Sequence, residues 1–122
     1  GGFHGTWLTG PALAASVVSR RRLTAVGASL GAGVVMPTPP GVDPAVWTAI
    51  LVRYLAGQSA RRCGPCRNGL PALADAMETY LWNGARGRID ELTGVLPRRG
   101  ACAHPDGTVR LVRSLFTLLE EI

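Results

Sequence analysis

Three prolines and a glycine stand between residues 37 and 41: Pro37, Pro39, Pro40 and Gly41. Proline lacks an amide hydrogen and clashes with the preceding helical turn, so neither a helix nor a sheet ladder runs through this stretch. It divides the 122 residues into an N-terminal segment, 1–42, and a second unit, 43–122. The first is glycine-rich. Its apolar patches Phe3 to Leu8 and Gly33 to Met36, bounded by glycine and proline, predict strands, and the alanine-rich stretch Pro11 to Val26 predicts partial helix. Two strands and a short helix are marginal by themselves. The chain also opens on Gly1-Gly2 without methionine, so this segment is expected to be the end of a sheet completed by sequence further upstream.

Beyond the break the pattern is helical throughout. Asp43-Pro44 supplies a capping carboxylate followed by proline at the first helical position. Trp47, Ile50, Leu51, Tyr54 and Leu55 then recur at helical spacing up to Gly57 and predict the inward face of a first helix. A second carries Leu70, Leu73, Met77, Tyr80 and Leu81 and stops near Asn83-Gly84. A third runs from about Arg88 to Leu96, with Ile89, Leu92 and Leu96 inward and Pro97 ending it. A fourth takes Asp106 as its N-cap and presents Val109, Val112, Leu115, Phe116, Leu119 and Ile122. Four amphipathic helices on short connections argue for a small bundle, and the whole chain for an α+β fold.

Basic charge narrows the partners only slightly. The net +5 comes from 13 arginines with no lysine, against 8 acidic residues. Arg20-Arg21-Arg22 is the one basic run, too little for a nucleic-acid-binding surface, and an arginine face suits an acidic redox partner such as a ferredoxin. Leu8 to Val18 is interrupted by Gly10 and Pro11 and too short to span a bilayer, and the basic run follows it where a signal peptide would have it first. A cytoplasmic protein without membrane insertion is the expectation.

Cysteine usage agrees with a reducing compartment, since three thiols cannot all pair within one chain. Cys63-Gly64-Pro65-Cys66 has the spacing at which two thiolates in one turn grip a single metal or two corners of a cluster. Cys102 lies in the loop between the third and fourth helices, which an antiparallel bundle returns to the end that carries the pair. Arg61, Arg62 and Arg67 bracket the pair, and fixed positive charge there favours thiolates and an added electron on an anionic cluster. His4, Trp7, Trp47 and Trp82 read as packing residues.

Three chemistries compete for these residues. An iron–sulfur cluster on Cys63, Cys66 and Cys102 makes the chain an electron-transfer module. Structural zinc would use the same thiols with His104 as a Cys3His tetrahedron. Cys-Gly-Pro-Cys is also a thiol–disulfide exchange motif, but that motif closes a strand and opens a helix, whereas here it follows an amphipathic helix.

The run Tyr54 to Gly69, YLAGQSARRCGPCRNG, together with Cys102 and the ending Leu115-Phe116 to Glu120-Glu121, resembles the cluster-binding helical domain of the NADH- and flavin-binding subunit of respiratory complex I and its relatives among NAD-linked hydrogenases and formate dehydrogenases. Gly1 to Leu8 and Gly27 to Val35 resemble the β-grasp domain that precedes it. The resemblance implies a partial β-grasp segment over 1–42, a four-helix bundle over 43–122, and a [4Fe-4S] cluster that takes electrons from flavin. FMN and NADH would then bind in an upstream flavin domain, for no glycine-rich phosphate loop lies between strand and helix here. The lysine-free, Gly/Ala/Arg-rich composition fits a divergent actinobacterial-type paralogue.

One position departs from the family's pattern. Its second and third motif cysteines fall on Cys63 and Cys66 and its distant fourth on Cys102, while its first falls on Ala60. Alanine cannot ligate iron. The resemblance therefore implies three thiolates completed by His104, by Asp106, by water or an outside thiol, or a three-iron ([3Fe-4S]) cluster.

Overall fold

The computed structural model describes residues 3–15, 20–25, 28, 35–58, 64–99 and 103–121. Two short helices lie in the N-terminal segment, α1 (Gly10–Ala15) and α2 (Arg20–Ala25). Then come α3 (Pro44–Gly57), a π-helical turn (Pro65–Gly69) that leads into α4 (Leu70–Asn83), α5 (Gly87–Val95) and α6 (His104–Glu121).

The four long helices close a ring of contacts: α3 packs on α4, α4 on α5, α5 on α6 and α6 on α3. Ala56 at the end of α3 touches Leu70 at the start of α4, which makes these two antiparallel neighbours. Inside sit Val52, Leu73, Met77, Ile89, Val109, Val112 and Leu115, each removed from solvent. Thr108 is buried as well and returns its hydroxyl to the His104 carbonyl, so no polar atom is left bare in the core there.

Helix boundaries follow local chemistry. Asp43 Oδ1 accepts the Ala45 amide at 2.8 Å, with Pro44 at the first position, as the sequence predicts. Gly84 adopts φ +71°, the left-handed conformation that lets its amide reach back to the Tyr80 carbonyl and end α4. Asp106 does not cap α6. The helix starts two residues earlier, with the Gly107 amide bonded to the Ala103 carbonyl, and the Asp106 carboxylate accepts the Arg98 amide at 2.8 Å instead. That bond staples the α5–α6 loop to the first turn of α6.

The α+β expectation fails: among the described residues there is no strand, and the partial β-grasp is not seen. Among the described residues Phe3 to Leu8 has no neighbouring strand to pair with. Its polar groups turn to the helices instead: the Trp7 amide donates to Ser114 Oγ, and the indole Nε1 donates to Thr48 Oγ1, both at 2.9 Å. Extended backbone without a ladder partner is not a sheet. Of the second expected strand, Gly33 and Val34 lie outside the described residues, and Val35 and Met36 are exposed without regular structure. Helix in Pro11 to Val26 is present as most of α1 and all of α2, while the Gly27 to Gly33 stretch apart from Ala28 lies outside the described residues.

The face of α3 is also corrected. Ala45, Thr48, Ala49, Val52, Leu55 and Ala56 are buried, whereas Trp47, Ile50 and Tyr54 are exposed. Trp82, read as packing, is 90 % exposed, and Leu81 is exposed with it. On α6, Val109, Val112, Leu115 and Phe116 are buried and Leu119 packs partly buried against them. Ile122 lies outside the described residues.

Candidate functional site

Each of the three cysteines adjoins a described anchor, and the anchors meet at one end of the bundle. Cys66 lies in the Pro65–Gly69 turn; Cys63 and Cys102, like Ala60, Arg61 and Arg62, lie outside the described residues. Gly64 follows Cys63 directly, Gly69 closes the turn that holds Cys66, and Ala103 and His104 follow Cys102.

Contacts tie these flanks together. His104, the first residue of α6, holds its Nε2 2.8 Å from the carbonyl oxygen of Leu55 in the last turn of α3. A carbonyl only accepts, so Nε2 carries the hydrogen in this bond. Gly69 approaches Leu96 so closely that a methyl group in its place would run into the Leu96 side chain, and the π-turn itself touches α6. The end of α3, the start of α4, the end of α5 and the start of α6 thereby meet at one end of the bundle. A π-turn is a rare local form, concentrated at functional positions in helices.

A second imidazole joins this end from far away in sequence. The His4 ring lies 4.9 Å from the His104 ring, centroid to centroid, tilted by 59°. Gly107 makes the approach feasible: a Cβ there would stand 2.7 Å from His4 Cγ and 2.8 Å from its Nδ1. The His4 Nε2 is buried and has no hydrogen-bond partner among the described residues. Burial first, then the His104 ring and the Arg110 guanidinium, push the His4 pKa below the ordinary histidine value, so the ring is neutral with one nitrogen free to donate electrons. The sequence reading took His4 for packing. Its one signal was Gly107, a glycine inside a helical stretch, which marks a close approach.

The donor set suits a soft metal group. Among the described residues no three His, Cys, Asp or Glu side chains make a metal site by themselves. Cysteine and a neutral imidazole with an unpartnered nitrogen are donor types that iron–sulfur groups and zinc both accept. Among the described residues no helix is long and apolar enough to cross a membrane.

Comparison with known proteins bears on the iron–sulfur reading. No curated protein matches the chain. The family model described as NADH-ubiquinone oxidoreductase-F iron-sulfur binding region matches residues 47–121, from the first helix of the bundle to the end of the last. This family binds a [4Fe-4S] cluster and is part of an NADH dehydrogenase-like flavoprotein subunit. With more than half of its length in the match, and with the helical bundle and the thiol-bearing turn in their places, the chain belongs to the NADH-ubiquinone oxidoreductase-F iron-sulfur binding family.

Proposed function

We propose that this chain is a one-electron relay whose bundle holds an iron–sulfur cluster on the thiolates of Cys63, Cys66 and Cys102, with an imidazole at the position that alanine at 60 leaves without a ligand. The match to the iron–sulfur binding family supports this reading, together with the meeting, at one end of the bundle, of the helix ends that adjoin the cysteines in sequence, through the His104–Leu55 hydrogen bond and the Gly69–Leu96 contact. His104 is the imidazole nearest in sequence to a thiol, with Nδ1 as its available nitrogen.

When bound, such a cluster accepts and releases single electrons at a potential set by its ligands and surroundings. The chain's own residues supply the rest. Arg61, Arg62 and Arg67 add positive charge beside the pair, which favours the thiolate form and the reduced state. Leu55 holds the His104 ring in one tautomer, a role that backbone carbonyls commonly play for metal-bound histidines.

Electrons would come from a flavin in an upstream domain, the seat of FMN and NADH, and leave to an acidic ferredoxin-like or other redox subunit attracted by the arginine-rich surface. Hydride transfer would belong to the upstream domain, and this part would pass electrons on.

Cys102→Ser in the anaerobically purified chain tests the ligand set. Loss of most of the iron and acid-labile sulfide, with helical circular dichroism unchanged, is the expected result. Full iron occupancy in the variant would remove Cys102 from the set.

A further inference from the structure

The seam between α5 and α6 is not filled by side chains: a cavity of about 260 Å³ lies along it. Ile89, Val112 and Phe116 give it an apolar floor, each at most 6 % exposed. Asp90, Thr117 and Glu120 line it as well and are exposed, so the cavity opens to solvent.

Two arginines complete the lining, and they differ in what they still have to offer. The Arg86 guanidinium lies 4.1 Å from the centre of the Phe116 ring, with the carboxylates of Asp90 and Glu120 at 3.4 and 3.8 Å. Its charge is already answered, yet its Nε is buried without a hydrogen-bond partner among the described residues, a donor left for an oxygen atom of an occupant. Arg113 is the reverse case. It gives one N–H to the Thr93 carbonyl at 2.6 Å, keeps the rest of its fork, and pairs with no carboxylate among the described residues.

These charges select the occupant. Two guanidiniums and two carboxylates line the cavity, so a dianion meets repulsion from Asp90 and Glu120 while a cation meets Arg113. A single negative charge placed on Arg113 fits, and a planar carboxylate matches the guanidinium fork. The volume lies below the roughly 300–1,000 Å³ of pockets that take drug-sized ligands, so the body behind the carboxylate is a few carbons long.

We propose that the α5–α6 cavity binds a small organic monocarboxylate, with its charged end on Arg113 and its short apolar body on Ile89, Val112 and Phe116. The bound acid bridges α5 and α6. Nothing in this site involves the cysteine segments, so it does not rest on the cluster reading.

Methyl NMR spectra of the purified chain, with Ile89 and Val112 as reporters, test the site through titration with butyrate, its neutral analogue butyramide, and inorganic phosphate. Butyrate is expected to shift both methyl signals along a saturable curve, with a dissociation constant on the order of 1 mM, and butyramide to bind about tenfold or more weakly. Phosphate leaves both signals in place. Arg113→Gln, whose amide still donates to the Thr93 carbonyl, brings butyrate down to the level of butyramide. Thr117→Met fills the cavity from its exposed rim without altering charge, and abolishes the shifts. Shifts that do not saturate, butyramide or phosphate acting as strongly as butyrate, or unchanged butyrate affinity in either variant with parental helical circular dichroism overturns the proposal. The comparison of butyrate with butyramide and phosphate uses the unaltered chain, so it decides the matter even where a variant fails to fold.

Discussion

Two glycines inside helices show how one missing methyl group serves opposite ends. At Gly94 in α5 a Cβ would meet nothing within 4 Å, so Gly94→Ala has only the helix-propensity gain and stabilises the chain by about 0.5–1 kcal/mol. At Gly107 the same gain meets His4, whose Cβ as well as its ring lies in the way, the nearest atom at 2.7 Å. Rotating the imidazole does not clear its own Cβ, so the N-terminal segment has to move; overpacking of this kind costs about 1–3 kcal/mol and outweighs the propensity term. Urea midpoints of the two variants should therefore shift in opposite directions, and a shift of Gly107→Ala toward higher stability would show that the segment bearing His4 is not held against α6. At this scale the cysteines are plain in the sequence because their spacing is local. His4 is not, because its meaning depends on a contact with a residue more than a hundred positions away, and a lone histidine between glycines carries no periodicity to betray it.

The helices themselves follow rules that a sequence states openly, and the bounds of α3, α4 and α5 agree with expectation within a residue or so. Asp43-Pro44, Asn83-Gly84 and Pro97 each act through backbone chemistry that does not depend on the rest of the fold. Which face of α3 turns inward depends on packing instead. Both its faces show helical spacing, and a reading by bulk chooses Trp47, Ile50 and Tyr54. The bundle chooses Ala45, Ala49 and Ala56, whose small side chains admit α4 at close range, with Thr48 kept inside to accept the Trp7 indole while donating to the Pro44 carbonyl at 2.7 Å. A pair of substitutions one residue apart distinguishes the two choices. Ala49→Leu puts a large side chain where 4 % exposure leaves no room and should cost about 1–3 kcal/mol, whereas Ile50→Gln, at a position 55 % exposed, should stay within about 0.5 kcal/mol of the parent. Thermal unfolding followed by circular dichroism reads both, and the reverse order of effects would restore the face chosen by bulk. The strand expectation failed for a related reason: a glycine-bounded apolar patch defines an extended segment, but only a partner makes it a strand, and Phe3 to Leu8 finds helices.

For the molecule as a whole, the surface charge contributes little to holding the bundle together. Arg53 reaches Asp75 at 2.5 Å and Glu78 at 3.0 Å across α3 and α4, yet its side chain is 44 % exposed and the carboxylates 72 % and 51 %, where solvent screens most of the attraction. Arg53→Gln should lower stability by less than about 1 kcal/mol, and a larger loss in a denaturant titration would mean that the α3–α4 seam relies on charge. Cohesion rests on the apolar interior, and at one end of it four helix termini and the N-terminal segment meet. On the proposed reading, that convergence would let a chain with alanine at 60 still serve as a redox module. Iron, zinc and acid-labile sulfide measured together on the anaerobically purified protein test it most directly. The account predicts a brown protein with iron and sulfide in matching amounts and a paramagnetic signal on reduction; a colourless protein with one zinc and no sulfide would contradict it.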